Sequence, residues 1–337
     1  MTSKEKTMTD LSTSYMGLQL RNPIIAGSSE LTNTARGVMR CEEAGAGAVV
    51  LKSFFEEQFA GEVDHTERGA WIYPEAADYL ERGGLLEYAS EKMCRMIGEA
   101  KKKVKIPVIA SINCQSARLW PTFARHFEEA GADALELNVY FLPYELHIPG
   151  TEYESFHIQI LEAVKKSVSI PVSLKLSPQL TALAHLSQKL AAAGCDALVF
   201  FNWFFQPDID IARLRTRNVI GKGDFYQCLR WIALCAGRVE CDIASSGGVC
   251  RADQVIKLIL AGASAVQVAS LFLNEGLETL PGLLRGLEQW MEEHGYRSLA
   301  DFRGELSFKK LQLSLREPKE VEAYFRSQYI KTYLKKE

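Results

Sequence analysis

Four stretches of the chain carry one phrase: Glu43-Ala-Gly-Ala-Gly-Ala-Val-Val-Leu-Lys52, Glu129-Ala-Gly-Ala-Asp-Ala-Leu-Glu-Leu-Asn138, Ala192-Ala-Gly-Cys-Asp-Ala-Leu-Val-Phe-Phe201 and Leu260-Ala-Gly-Ala-Ser-Ala-Val-Gln-Val-Ala269. In each, a helical pattern ends at a glycine (Gly45, Gly131, Gly194 or Gly262) and an apolar, β-rich run follows. Glycine tolerates the left-handed backbone that closes a helix, so each phrase reads as a helix exit feeding a buried strand. The copies stand about 60–90 residues apart, which suits paired βα units better than a short-period solenoid.

Four further apolar runs lie between them: Pro23–Gly27, Val108–Ile112, Val172–Leu176 and Asp242–Ser245. Two are launched by Ile-Pro, at Ile106-Pro107 and Ile170-Pro171. Amphipathic stretches fit helices at Leu85–Lys103, Trp120–Glu129, Phe156–Ser167, Leu180–Ala193 and Ala252–Leu260. Helices alternating with near-continuous apolar strands predict a parallel sheet, and eight strands predict its closure into an α/β (β/α)₈ TIM barrel. An open doubly wound sheet would want a G-x-G-x-x-G turn after the first strand. The chain has Ile25-Ala-Gly-Ser-Ser-Glu-Leu31 there. Residues 1–337 read as one barrel domain, with loop insertions at about 54–84 and 203–225 and a basic, helix-prone C-terminal tail. Both insertions follow a strand, which places them on the C-terminal face of a barrel.

The bulk numbers narrow the function classes. With 47% hydrophobic and 24% charged residues the composition is that of a soluble globular protein. A net charge of −3 supplies no electrostatic reason to bind nucleic acid or an anionic membrane. No apolar run approaches the ~18 residues of a membrane span, and Met1 to Asp10 lack a secretory pattern. The cysteines form no C-x-x-C pair and no metal-ligating cluster, so they read as reduced thiols in a cytoplasmic protein without a bound metal.

In a barrel, residues at the C-terminal strand ends face one common site. Here they are Gly27-Ser28-Ser29, Lys52-Ser53, Asn113, Asn138, Lys175, Asn202, Ser245-Ser246-Gly247-Gly248 and Ser270. Almost all are polar and two are lysines, which a purely structural barrel has no use for at buried strand ends. Gly247-Gly248 after the seventh strand and Ala269-Ser270 after the eighth point to a phosphate, because glycine lets backbone N–H groups approach one closely.

These residues resemble the dihydroorotate dehydrogenase family, especially its cytosolic class 1 branch, from Leu11 to Leu306. The likeness rests on Gly17-Leu-Gln-Leu-Arg-Asn-Pro23, Gly45-Ala-Gly-Ala-Val-Val-Leu-Lys-Ser53, Ala132-Asp-Ala-Leu-Glu-Leu-Asn138, Val172-Ser-Leu-Lys-Leu-Ser-Pro178, Ser245-Ser-Gly-Gly-Val249 and Ser298-Leu-Ala-Asp-Phe-Arg-Gly-Glu-Leu306, taken in order. The resemblance implies a non-covalent FMN. Gly27, Ser28, Asn113 and Phe201 would lie against it, and Lys52 with Ser53 near ring and substrate. Lys175 would sit by the pyrimidine edge, and Gly247, Gly248, Ala269 and Ser270 would hold the phosphate. Asn138 would touch both ring and substrate; Lys52 and Asn138 would serve catalysis and, with Asn202, bind substrate. A homo-oligomer and an electron-transfer partner subunit are implied by the resemblance alone.

The departures fall on one side of the site. The class 1 catalytic cysteine is matched by Phe141, in Asn138-Val-Tyr-Phe-Leu-Pro143, and phenylalanine cannot take a proton. The family's Asn-Ser pair after strand six is Asn202-Trp203, and its Asn-rich loop after strand two is His65-Thr-Glu-Arg-Gly-Ala-Trp-Ile-Tyr-Pro74. Replacement acid/base groups are Tyr140, Tyr144, His65 and Cys114. The sequence leaves several readings open: a flavin oxidoreductase of another substrate, a true dihydroorotate dehydrogenase with a displaced base, or a flavin electron-transfer subunit with little turnover of its own. A barrel that binds a sugar phosphate and no flavin is the fourth.

Overall fold

A computed structural model describes residues 9–56, 85–114, 117–203, 205–220 and 223–313. The chain enters through a hairpin of β1 (Thr13–Tyr15) and β2 (Leu18–Leu20). Met16 and Gly17 turn it with φ of 54° and 75°, the paired positive values of the tight turns that match strand twist. Then come β3 (Ile24–Ala26), β4 (Ala48–Val50), β5 (Phe54–Phe55), β6 (Val108–Asn113), β7 (Ala134–Asn138), β8 (Val172–Leu176) and β9 (Ala197–Phe200). They are followed by β10 (Phe205–Asp210), β11 (Arg215–Ile220), β12 (Asp242–Ser246) and β13 (Ala265–Val268).

Eight of these close on themselves in the order β3-β4-β6-β7-β8-β9-β12-β13, every pair parallel. The seam is β13 against β3, with Val266 opposite Ile24. The helices α1 (Ala35–Glu43), α2 (Leu85–Lys101), α3 (Leu119–Glu129), α4 (Gly150–Lys165), α5 (Leu183–Ala192), α6 (Phe225–Cys235) and α7 (Ala252–Ala261) separate successive strands. After β13 come the short α8 (Ser270–Glu275), then α9 (Leu280–His294) and α10 (Phe308–Leu313). The architecture is the expected (β/α)₈ barrel. No helix among the described residues is long and apolar enough to cross a membrane.

The repeated phrase has a structural reason beyond its glycine. Gly45, Gly131, Gly194 and Gly262 all take positive φ at a helix exit. At Gly262 a side chain would also meet the Ala236 Cβ at 2.3 Å. Two residues after Gly131 and Gly194 stand Asp133 and Asp196, which do the same work twice. Asp133 accepts the Val108 N–H at 2.7 Å and pairs with Lys101; Asp196 accepts the Val172 N–H at 2.7 Å and pairs with Lys165. Each carboxylate ties the entry to its own strand to the start of the preceding strand and to the end of the helix that leads into that preceding strand.

Side chains alternate along each strand, so one set faces the helices and the other the barrel axis. Ile24, Leu135, Leu137, Leu174, Leu176 and Leu198 pack outward into the helix layer. The axial set is small at the bottom: Ala48, Ala134, Ala197 and Ala265 pack with Ile25, Ile109, Tyr15 and Met16. These alanines leave the space that Tyr15 fills from the entering hairpin. The hairpin is held by Met16 N–H on Asp242 Oδ2 at 2.8 Å and Thr13 Oγ1 on the Ser264 carbonyl at 3.1 Å.

Element boundaries depart from expectation where a proline acts. The helix expected at Phe156–Ser167 begins at Gly150, because Pro149 takes an extended ψ of 152° and the chain turns helical after it. The 203–225 insertion contains the β10–β11 antiparallel hairpin, paired from Phe205↔Ile220 to Asp210↔Arg215, with Ile209, Ile211 and Leu214 exposed. Residues 57–84 of the other insertion and the tail after Leu313 lie outside the described residues. Tyr15→Ala should cost about 3–5 kcal/mol in urea unfolding, the range for emptying a buried aromatic site. Tyr15→Phe should retain most of the stability. A loss under about 1 kcal/mol for the alanine variant would show that Tyr15 does not fill the barrel.

Candidate active site

The C-terminal strand ends do converge, and hydrogen bonds join those of β3, β4, β6, β7 and β9. Ser53 is the hub of this group. Its N–H donates to Ser28 Oγ at 2.9 Å, and its hydroxyl lies 2.7 Å from Ser111 Oγ and 3.2 Å from Ser28 Oγ. Asn138 donates from Nδ2 to Ser53 Oγ at 3.5 Å and accepts from Asn202 Nδ2 at 2.8 Å on Oδ1. Asn113 donates to the Asn138 carbonyl at 2.9 Å. The Asn138 amide is therefore fixed at both ends, and Asn113, Asn138 and Ser53 are buried.

The two lysines are placed differently. Lys175 points into the barrel and is 7% exposed, with Glu136 at 1% and Gln267 at 2% around it. Its ammonium donates to Gln267 Oε1 at 3.1 Å and stands 3.4 Å from Glu136 Oε1; Gln267 Nε2 donates in turn to Glu136 Oε2. A buried ammonium is tolerated when a carboxylate and further hydrogen bonds meet it, and both conditions hold here. Lys52 lies past the end of β4, at the rim, and pairs with the exposed carboxylate of Glu30.

On the opposite wall the backbone is the donor. Gly247 and Gly248 follow β12 with φ of 113° and 75°. Among the described residues, no protein acceptor takes the N–H of Gly247, Gly248, Ala269 or Ser270. A Cβ on Gly248 would stand 2.7 Å from the Gly223 carbonyl oxygen, and one on Gly247 would stand 2.0 Å from Trp203 Nε1. Both positions thus exclude a side chain through backbone conformation and close packing, and successive N–H groups in such a turn are suited to binding an anion. Gly27 sits at the seam beside Ala269, its N–H on the Val268 carbonyl at 2.9 Å. Phe201 donates its N–H, and Trp203 its indole N–H, to the Ser246 carbonyl at 3.0 and 2.9 Å.

The acid/base candidates separate on exposure. Tyr140 is 38% exposed and Tyr144 70%. His65 lies outside the described residues. Cys114 is buried, and burial with the nearby Glu56 charge pushes its thiol well above the ordinary range, so it is a poor base. Phe141 packs its ring toward α4, 6.1 Å from both Phe156 and His157. His157 is buried beside it. Its Nδ1 donates to the Tyr153 carbonyl at 2.6 Å, Nε2 has no partner among the described residues, and burial lowers its pKa. The N-terminal end of the barrel has a cleft lined by Met16, Cys195, Asp196, Cys241 and Asp242. Its two aspartates are taken up by Lys165, Met16 and Ser264.

The sequence profile of the family described as dihydroorotate dehydrogenase matches residues 10–291. The chain belongs to the dihydroorotate dehydrogenase family. It is thereby an oxidoreductase of a flavin-dependent family. Relatives include the catalytic subunit of dihydroorotate dehydrogenase B (NAD(+)) of Methanothermobacter thermautotrophicus, 29% identical over 87% of this chain and 97% of that one. The protein of the same name in Thermoplasma acidophilum is 28% identical over 88% and 99%. Dihydroorotate dehydrogenase A (fumarate) of Limosilactobacillus reuteri is 27% identical over 85% and 94%. Relatives of both types thus match along almost their whole length.

Three residues of the site escape a reading by strand ends. Glu136 and Gln267 lie one layer below them, and Ser111 is two residues before Asn113. The available signal is the two-residue period: Glu136 shares the axial face with Asn138, so a charge there needs an axial partner. Glu30, which pairs with Lys52, sits in the turn after β3 and carries no periodic signal. Alkylation of the native protein at about pH 8, mapped by mass spectrometry, should label the exposed Cys250 and spare Cys114. Rapid labelling of Cys114 would restore it as a base.

Proposed function

We propose that the chain is an FMN-dependent oxidoreductase acting on a CH–CH bond of a small planar substrate other than dihydroorotate. The observation that carries this reading is a buried ammonium, Lys175, sharing one barrel mouth with uncommitted backbone N–H groups at Gly247, Gly248, Ala269 and Ser270. The donor set fits FMN: N–H groups for a dianionic phosphate, a cation for the ring edge, and fixed amides and hydroxyls for its polar atoms. When bound, the cofactor supplies a ring that accepts hydride at N5.

The protein's own residues do the rest. Gly247, Gly248, Ala269 and Ser270 hold the phosphate. Gly27, Ser28, Ser53, Asn113 and Phe201 line the ring. Lys175 meets the negative charge that develops on it. Asn138, locked between Ser53 and Asn202, presents a rigid amide edge to ring and substrate. Lys52, turned toward Glu30, is the cation at the substrate's entrance. A homo-oligomer and an electron-transfer partner subunit belong to the same proposal.

The substrate side supports a change of specificity. Phe141 stands where the family's cysteine base is expected, and its ring is engaged with Phe156 and His157. Trp203 replaces the small polar residue after Asn202 and spans toward Gly247. A positioned base contributes about 10²–10⁴-fold, so its absence should slow reduction by dihydroorotate by that order. The visible spectrum of the purified protein under anaerobic conditions should be that of a flavin and should stay yellow on adding dihydroorotate. Prompt bleaching would mean that dihydroorotate is the substrate and another group takes the proton. Gly248→Val should lower FMN affinity by at least about tenfold, or 1.4 kcal/mol, with the fold retained by circular dichroism. Full FMN occupancy in that variant would refute the phosphate assignment.

A further inference from the structure

The layer beneath the mouth contains one feature that strand-end reasoning does not use: Lys175 has a charged partner of its own inside the barrel. Glu136 lies two residues before Asn138 on the same face of β7, and its carboxylate is engaged by Lys175 and Gln267 together. We propose that Glu136 is a positioning residue that acts through Lys175: it is the counter-ion that lets Lys175 stay charged beneath an oxidised, uncharged flavin, so that reduction draws one proton rather than two. This rests on the FMN reading above.

The neighbours leave that task to Glu136. Gln267 bonds both partners but carries no charge. Ser111 on β6, Asn138 on β7 and Ser173 on β8 are neutral. Tyr15 reaches up from the hairpin below; burial, then the charges of Glu136 and Asp242, push its phenol well above the ordinary range, so it stays neutral. Lys52 is turned to Glu30 at the rim. Asp242 lies at the barrel bottom, bound to Met16 and Ser264. Among the described residues, the buried ammonium is therefore balanced by one carboxylate.

The consequence concerns proton count. Two electrons and one proton reduce the ring to a species with one negative charge, and in the native protein Lys175 is already charged to meet it. Without Glu136, an ammonium facing an uncharged ring in a dry barrel sheds its proton. Reduction would then add two electrons and one proton to the ring and return a second proton, from solvent, to Lys175. For a two-electron couple each proton taken up moves the midpoint potential by about 30 mV per pH unit, since a tenfold change in equilibrium constant is 29.6 mV.

The test is the midpoint potential of the FMN-loaded protein between about pH 7.5 and 9, a range above the histidine and below the lysine reference values. The native protein should show a slope near 30 mV per pH unit and Glu136→Gln one near 60. A yellow Glu136→Gln protein that keeps the native slope overturns the inference and leaves the FMN reading standing. A native protein that neither contains nor binds FMN overturns that reading first. The double variant Glu136→Gln/Lys175→Met, which removes both charges, should return to the native slope at a lower potential. A doubled slope there would place the second proton elsewhere and overturn the assignment. If Glu136→Gln does not accumulate, recovery of a folded yellow double variant supports charge compensation, and failure of both overturns it.

Discussion

Closure of the parallel sheet is the constraint on which everything else in this molecule depends. Because β13 pairs with β3 and every intermediate pair is parallel, residues of like register stand at like height around one axis. Alternation then sends every second side chain toward that axis and its neighbours toward the helices. The result is a stack of layers. Alanines and Tyr15 fill the bottom, Glu136, Lys175 and Gln267 make a charged layer above, and amides, hydroxyls and glycine N–H groups form the rim. A charged layer inside a barrel would be destabilising on its own. It is tolerated because the ammonium, carboxylate and carboxamide satisfy one another within hydrogen-bonding reach.

The rim is chemically divided. Along β12 and β13 the donors are backbone, held by glycine geometry that a side chain would spoil. Along β4, β6, β7 and β9 they are side chains tied to one another through Ser53 and Asn138. On the reading proposed above, a cofactor would make its demands mostly on the first wall and on Lys175, and a substrate on the loops after β7 and β9, where Phe141 and Trp203 stand. Loops can vary at such a mouth because the strands beneath already fix the height and direction of the groups they carry.

The fold was legible because its signals are local. Four glycines at helix exits and two Ile-Pro steps mark strand starts that need no knowledge of pairing. Asp133 and Asp196 stand inside the repeated phrase, but their clamping role appears only once the preceding strand is brought alongside. The β1–β2 hairpin has three-residue strands, too short for two-residue periodicity to register, and its Met16-Gly17 turn lacks the usual asparagine or aspartate. The strand-end list reached the rim because chain position alone selects it. It missed Glu136 and Gln267 because their importance lies in a contact between β7 and β13, residues 131 apart, which only closure creates. The difference between Lys52 and Lys175 is of the same kind. Both stand at the close of an apolar run, but Lys52 lies beyond its strand and Lys175 within its own.

Tyr15 and its hairpin also matter to the layer above them. They stopper the barrel from below, packed among the axial alanines, so the ammonium–carboxylate pair of Lys175 and Glu136 rests on an apolar plug and not on water. The dryness of that pair is thus set by residues about 120 or more positions earlier in the chain, in two strands of three residues each.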